Sequence, residues 1–242
     1  MSDFKPIAVI PHYNHSATVG AVVEKLQQFG LPVLIVDDGS SPVHKAVLEQ
    51  FPQNEQLSLL FCPKNGGKGA AVKAGLMQAQ KLGFSHAIQV DADGQHNLDD
   101  IQQMLAYSQQ QPNAVVCGRP IYGDDAPKAR LYGRKITNFW IAINTLSTDI
   151  EDGMCGFRLY PLSSTVPLLE QEKLGNYMDF DIEILVRLHW RKIPMIWIDT
   201  PVKYESSGVS HFRGWADNWL ISKMHARLFF GMLKRLLTGK MR

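Results

Sequence analysis

Asp91 and Asp93 stand two residues apart, directly after a short apolar run at residues 86–90. Alternate side chains of an extended segment point the same way, so both carboxylates can face one spot. Two carboxylates brought together repel unless a cation lies between them. Hard divalent ions such as Mg²⁺ or Mn²⁺ take oxygen ligands, commonly one or two carboxylates plus substrate phosphates. The position suits such a site, because open α/β sheets bind ligands beyond the carboxyl ends of their strands. A solvated Asp-Gly turn gives the same pattern, so the pair alone leaves both readings open.

Three further groups carry potential chemistry. Asn65-Gly66-Gly67-Lys68-Gly69 opens a helix but has neither Walker spacing nor the GxGxxG pattern. A glycine-rich helix start can bind phosphate, with Lys68 on the ligand, and a tight turn that packs a helix closely explains it equally. Arg119, Arg130 and Arg134 come next, the last two sharing a helical face. Guanidinium forks match phosphate oxygens, so the three could grip a diphosphate; a solvated basic face is the alternative for each. Asp149, Glu151 and Asp152 form an acidic turn that could hold a general base.

The elements that must position these groups alternate. A strand at residues 6–10 runs into Pro11-His12-Tyr13-Asn14-His15, and a helix carrying Val19, Val22, Val23, Leu26 and Phe29 follows. A strand at 31–36 ends in Asp37-Asp38-Gly39-Ser40, with a helix at 43–51 and a strand at 57–61. The glycine-rich helix runs to Lys81, the strand at 86–90 delivers Asp91, and a helix at 98–110 precedes a strand at 114–117. Such alternation specifies a parallel sheet with helices on both faces. The polar loops after Ile10, Val36 and Val90 then share one sheet edge and line one cleft. Beyond Cys117 we expect a loop at 118–128, a helix bearing Ile136, Phe139, Trp140, Ile143 and Leu146, and a strand at 154–160. A helix from Asp179 to about Trp190, a strand at 193–198, a short extended piece at 201–204 and a polar loop at 206–213 complete the body.

The chain has 242 residues, enough for one large α/β domain or two small ones, and a composition ordinary for a folded core. Its net charge of +2 is uneven: residues 213–242 carry seven Lys/Arg against one Asp. That tail has apolar residues from Trp219 to Leu237 at near-helical spacing, too polar to span a bilayer. It suits an interfacial helix on anionic headgroups or a helix packed on the domain. Cys62, Cys117 and Cys155 show no disulfide framework or zinc spacing, which fits a reducing compartment. The start shows no signal-peptide pattern. The expected division is a catalytic domain at 1–212 and a basic amphipathic helix at 213–242.

Taken together, the motifs resemble the family 2 glycosyltransferases of the GT-A fold, in the branch that includes dolichyl-phosphate mannose synthase. The resemblance covers roughly residues 7–204. It rests on Ile10-Pro11-His12-Tyr13-Asn14, Val36-Asp37-Asp38-Gly39-Ser40, the Asn65–Ala71 stretch, Asp91-Ala92-Asp93-Gly94-Gln95-His96, Gly118-Arg119 and Cys155-Gly156-Phe157-Arg158. It implies a Rossmann-like, mostly parallel sheet and an inverting transfer of one sugar from a nucleotide-diphosphate donor to a lipid-linked acceptor. Pro11, Tyr13, Asp38, Lys68 and Asp91 are then the nucleotide pocket, with Asp38 on base or ribose. Asp91, Asp93 and Gln95 hold Mg²⁺ or Mn²⁺ and the diphosphate; Arg119 and Arg134 hold the donor diphosphate or acceptor phosphate; Asp152 is the acidic residue before the Gly-Phe-Arg strand. The implied setting is peripheral, on the cytoplasmic face of a membrane, through the C-terminal helix. The transmembrane helices common in mannosyl-phosphate synthases and the Gln-x-x-Arg-Trp motif of processive synthases are not matched, Arg213-Gly214-Trp215 being the nearest approach. A nucleotidyltransferase on a similar sheet and a membrane-associated module without catalysis are the rival readings. Nucleic-acid binding rests on the tail alone and is not expected.

Overall fold

The computed structural model describes residues 4–123, 128–202 and 214–240 of the chain. Its strands are β1 (Pro6–His12), β2 (Val33–Asp37), β3 (Leu57–Phe61), β4 (His86–Gln89), β5 (Val115–Ile121), β6 (Arg158–Pro161) and β7 (Met195–Pro201). They form one seven-stranded sheet in the order β3-β2-β1-β4-β6-β5-β7. β1 pairs in parallel with β2 and β4, β2 with β3, and β5 with β7, whereas β6 lies antiparallel to β4 and β5. The sheet is therefore mostly parallel, as expected, with one reversed strand.

Helices cover both faces: α1 (Val19–Gln28), α2 (Pro42–Leu48), α3 (Lys68–Lys81), α4 (Ile101–Gln110), α5 (Lys128–Thr145), α6 (Leu162–Gln171), α7 (Phe180–Trp190) and α8 (Gly214–Leu237). Successive residues of β1 explain the layering, because side chains alternate across a strand. Ile7 and Val9 join the core formed with α3, α5, α6, α7 and α8. Ala8 and Ile10 join the core formed with α1, α2 and α4.

Several boundaries differ from expectation. The strand anticipated from Met154 begins only at Arg158, because the Asp152 carboxylate takes the N–H groups of Met154 and Cys155 and holds that segment in a turn. Residues 118–121, expected in a loop, extend β5, since β7 offers partners as far as Ile121 against Pro201. The helix expected to reach Phe51 stops at Leu48. The expected loop at 206–213 lies outside the described residues.

α8 packs through Ile221, Met224, Leu228 and Met232 into the same core as α5 and α7. Among the described residues no helix is long and apolar enough to cross a membrane. His225 is buried at the α5–α8 contact, where its Nδ1 lies 3.1 Å from Asn144 Nδ2. Burial pushes its pKa from 6.5 down to about 4. The unfolded chain therefore binds the extra proton between those two values. Stability should be whole above about pH 6.5, fall as pH drops through that window, and level off near pH 4, at a cost of roughly 3 kcal/mol. Melting temperatures across pH 4–7 test this: His225→Gln should flatten the slope, and an unchanged slope would assign it elsewhere.

Candidate active site

Parallel β1, β2 and β4 end at one edge, and their loops bring the candidate residues together. At the end of β1, His12 is buried and its Nδ1 lies 2.9 Å from Asp37 Oδ1. Burial raises the Asp37 carboxyl, but hydrogen bonds from His12 and Ser40 outweigh it and leave the group below the ordinary range. Pro11 and Tyr13 flank this pair, half-buried. A cavity of about 380 Å³ opens beside them, lined by Asp37, Gly39, Ser40, Lys45, Phe61, Cys62 and Pro63. A larger cavity, near 650 Å³, lies around Asp149, Glu151, His189, Lys192 and Met195; of the sequence-derived candidates only Asp149 and Glu151 of the acidic turn line it.

Asp38 is only 3% exposed. Its two carboxylate oxygens accept the N–H groups of Gly66 and Gly67 at 2.9 and 2.8 Å. Burial pushes its carboxyl up against those bonds. The residue expected on base or ribose therefore fastens the glycine-rich loop to β2. Gly67 itself has φ +98°, a conformation that favours glycine, and Tyr177 and Asn176 crowd the space a side chain would take.

That anchored loop starts α3 and delivers Lys68. Its Nζ lies 2.8 Å from Asp91 Oδ1 and 3.3 Å from Asp181 Oδ2. Burial opposes the ammonium charge, yet Asp181 and Asp91 overcome it and hold Lys68 well above its usual range. Asp91 is depressed in turn: burial raises it, and Lys68 and then His96 more than offset that. β4 stops at Gln89, so Asp91 and Asp93 leave the sheet in a turn rather than on an extended strand. Asp93 Oδ1 accepts the Gln95 N–H at 3.0 Å. His96 stacks on Phe157 at 4.9 Å, with Nε2 3.8 Å from Asp91 Oδ2.

The fit to a divalent ion can be judged from these donors. Asp91, Asp93 and Gln95 supply hard oxygen atoms, and no group of three or more His, Cys, Asp or Glu suited to a metal occurs among the described residues. Such a set suits an ion that completes its shell with substrate phosphates and water, not a closed protein cage.

The arginines lie on the far side of the cleft. Arg134 on α5 is ion-paired with Asp152, and its guanidinium sits 5.2 Å from the Tyr122 ring. Burial works against its charge, but Asp152 holds the guanidinium above its ordinary range. Asp152 is 3% exposed, and its Oδ1 also accepts the N–H groups of Met154 and Cys155. Arg119 on β5 is half-exposed and bridges Asp199 and Glu151. The Arg130 side chain lies outside the described residues.

Two groups therefore form: Lys68 with Asp91 beside Asp93 and Gln95, and Arg134 with Asp152. Sequence reasoning missed Asp181, Gln89 and Gly156, which surround the first. Asp181 was visible only as one of three acids, Asp179, Asp181 and Glu183, at the start of α7.

The family model for Glycosyl transferase family 2 matches residues 7–165, which hold every element of the cleft but α7. The chain belongs to glycosyl transferase family 2. A dolichyl-phosphate β-glucosyltransferase of Trichomonas vaginalis is 26% identical over 85% of this chain, which spans 65% of that relative's length. A UDP-N-acetylglucosamine–dolichyl-phosphate N-acetylglucosaminyltransferase of Methanococcus voltae is 28% identical over 73% of this chain and 77% of its own. The glucosyl-3-phosphoglycerate synthase of Mycobacterium tuberculosis, solved with Mn²⁺, UDP and phosphoglyceric acid, superimposes with a TM-score of 0.67 at 13% identity, covering 94% of this chain and 78% of that one. At that identity the likeness establishes the fold, which is the GT-A arrangement. Within the family 2 region, Asp91, Asp93 and Gln95 follow the carboxyl end of β4, the central strand of the seven, next to β1.

Proposed function

We propose that this family 2 glycosyltransferase moves one sugar, with inversion, from a nucleotide-diphosphate donor to the phosphate of a polyprenyl-type lipid at a membrane surface. The observation that carries the donor half is the Lys68–Asp91 contact beside Asp93 and Gln95 at the cleft edge. A nucleoside diphosphate leaves poorly until its charge is neutralised, and a Mg²⁺ or Mn²⁺ ion held by Asp91, Asp93 and Gln95 supplies that neutralisation when bound. Lys68 adds a positive charge at the glycine-rich helix start. The cavity beside Asp37 and Phe61 has the position for the base.

The acceptor half follows from Asp152. A hydroxyl acceptor needs a base to take its proton, whereas a lipid phosphate is already ionised. Both Asp152 oxygens are committed, to Arg134 and to two backbone N–H groups. This favours a phosphate acceptor, with Arg134 drawn toward it. Relatives that act on dolichyl phosphate support the same choice. The decisive assay measures sugar transfer to polyprenyl phosphate against a lipid alcohol, across uridine and guanosine nucleotide sugars with Mg²⁺ or Mn²⁺. Transfer to the alcohol alone would overturn the acceptor, and release of pyrophosphate would point to nucleotidyl transfer instead.

The membrane contact rests on two adjacent helices. Tyr132, Ile136, Phe139 and Trp140 of α5 are exposed, as are Trp215, Trp219, Phe230 and Leu237 of α8. Lys223 Nζ lies 5.0 Å from the Trp219 ring, as suits an aromatic anchor beside anionic headgroups. Anionic lipids concentrate on the cytoplasmic leaflet, which supports a peripheral setting on that face. Replacing Trp215 and Trp219 together with Ala should lower binding to anionic vesicles roughly tenfold or more, with nucleotide binding unchanged. Co-sedimentation with and without anionic lipid measures it; equal binding by both proteins would remove α8 from the contact.

A further inference from the structure

Lys68 is shared between two carboxylates, and the second has no part in the reading above. Asp181, at the start of α7, is 4% exposed, and its Oδ2 lies 3.3 Å from Lys68 Nζ. Two hydrogen bonds fix it there. Gln89 Nε2 donates to Asp181 Oδ1 at 3.1 Å, and Gln89 is fully buried at the end of β4, two residues before Asp91. The Arg158 guanidinium donates to the Asp181 backbone carbonyl. The Gly156 backbone closes the space above: a Cβ there would stand 2.6 Å from Gln89 Nε2, 2.9 Å from Lys68 Nζ and 3.5 Å from Asp91 Oδ1. A buried carboxylate held this firmly beside an ammonium costs desolvation that only a specific geometry offsets.

We propose that Asp181 is a positioning residue of the transfer site, anchoring the Lys68 ammonium so that Asp91 is released to the metal–diphosphate end of the donor. This rests on the transferase reading. The charges explain why an anchor is needed. Lys68 brings one positive charge, while Asp91, Asp93 and Asp181 bring three negative ones, and the surplus matches a divalent cation. Without Asp181, Lys68 has Asp91 as its one close carboxylate and competes with the cation for it. With Asp181, Lys68 keeps a partner as Asp91 turns to the donor, and its charge stays in the cleft where the leaving diphosphate develops. Asp181 lies beyond the matched family region at residues 7–165, so the anchor comes from the part of the chain the family model leaves out.

The test measures binding of UDP and GDP with Mn²⁺ by calorimetry to wild type, Asp181→Asn, Lys68→Met and the double variant. Asn is isosteric and keeps an oxygen for Gln89, and melting curves confirm folding. Asp181→Asn should weaken the tighter-binding nucleotide about tenfold, and should add less than a twofold loss once Lys68 is Met, because two residues acting through one contact are not additive. Gly156→Ala, which pushes on the same contact from the other side, should weaken binding in the same direction. Wild-type affinity in Asp181→Asn, an equal loss in both backgrounds, or a loss seen with a nucleotide sugar but not with the diphosphate would overturn the proposal. A second readout is independent of any nucleotide: amine labelling of Lys68, followed by mass spectrometry, should speed up several-fold in Asp181→Asn, and an unchanged rate would also overturn it. Wild-type protein that binds neither nucleotide would sink the transferase reading, while the labelling still decides the contact between Asp181 and Lys68.

Discussion

Asp93→Ala is expected to cost at least about a thousandfold in kcat/KM while leaving the melting temperature nearly unchanged. The two halves of that expectation have different sources. Asp93 is half-buried and its hydrogen bond is a local one, from Gln95 N–H to Oδ1. Among the described residues it forms no ion pair, so little folding energy depends on it, and surface substitutions of that kind usually fall within about 0.5 kcal/mol. Asp91, by contrast, is already engaged by Lys68. Asp93 is therefore the carboxylate with most charge to give an incoming cation. Lewis-acid stabilisation of a developing phosphate charge amounts to several kcal/mol, and about 4 kcal/mol is a thousandfold in rate. Steady-state kinetics alongside a thermal melt check both halves. Turnover within tenfold of wild type would remove Asp93 from metal binding, and a large drop in melting temperature would recast it as structural.

The same contrast explains which parts of the molecule were legible in the sequence. Apolar runs ending in polar loops after Ile10, Val36 and Val90 report strands and their shared edge, because a buried parallel strand needs nothing else. Direction is not encoded that way. Cys155, Phe157 and Leu159 alternate as a strand would, yet Cys155 sits in a turn closed by Asp152, Phe157 precedes the strand, and only Leu159 lies on antiparallel β6. Gly118-Arg119-Pro120 reads as a loop locally and becomes strand through β7, more than 70 residues away in sequence. Asp91 and Asp93 stand out as metal candidates because Asp-x-Asp is a local signal. Asp38 stands out in the sequence, but its contact with the glycine-rich loop does not, since the amides it accepts from lie nearly 30 residues on. Asp181 left no signal, because nothing in the spacing of Asp179, Asp181 and Glu183 says which carboxylate reaches Lys68. For α8 the packing on the domain is observed, with Ile221 and Leu228 in the core, while Trp215 is 94% exposed.

Arg158→Met should lower stability by about 3–5 kcal/mol, the largest effect expected of any single replacement beneath the cleft. Arg158 is fully buried, and burial alone would disfavour its charge. Its guanidinium is retained because it joins three segments: Nη2 donates to the Gly153 carbonyl at 2.9 Å, Nη1 donates to the Asp181 carbonyl, and Nη1 also meets the Tyr160 hydroxyl at 3.4 Å. Methionine keeps much of the volume but leaves two buried carbonyls without donors, each costing about 1–3 kcal/mol. For a chain of this size the loss corresponds to a fall of about 10 °C in melting temperature. Arg158→Lys should recover less than half, since one ammonium cannot serve carbonyls on opposite sides of the fork. A melting temperature within about 2 °C of wild type in Arg158→Met would show that the three segments hold without it. The expected result gives the Gly-Phe-Arg signature a physical meaning. Gly156 lets the backbone approach Lys68 and Asp91, Phe157 supports His96, and Arg158 ties the loop carrying Asp152 to the helix carrying Asp181. The loop that carries Asp152 and the helix that carries Asp181 are thus joined through one buried side chain, so under the proposed function its loss should weaken nucleotide binding as well as the fold.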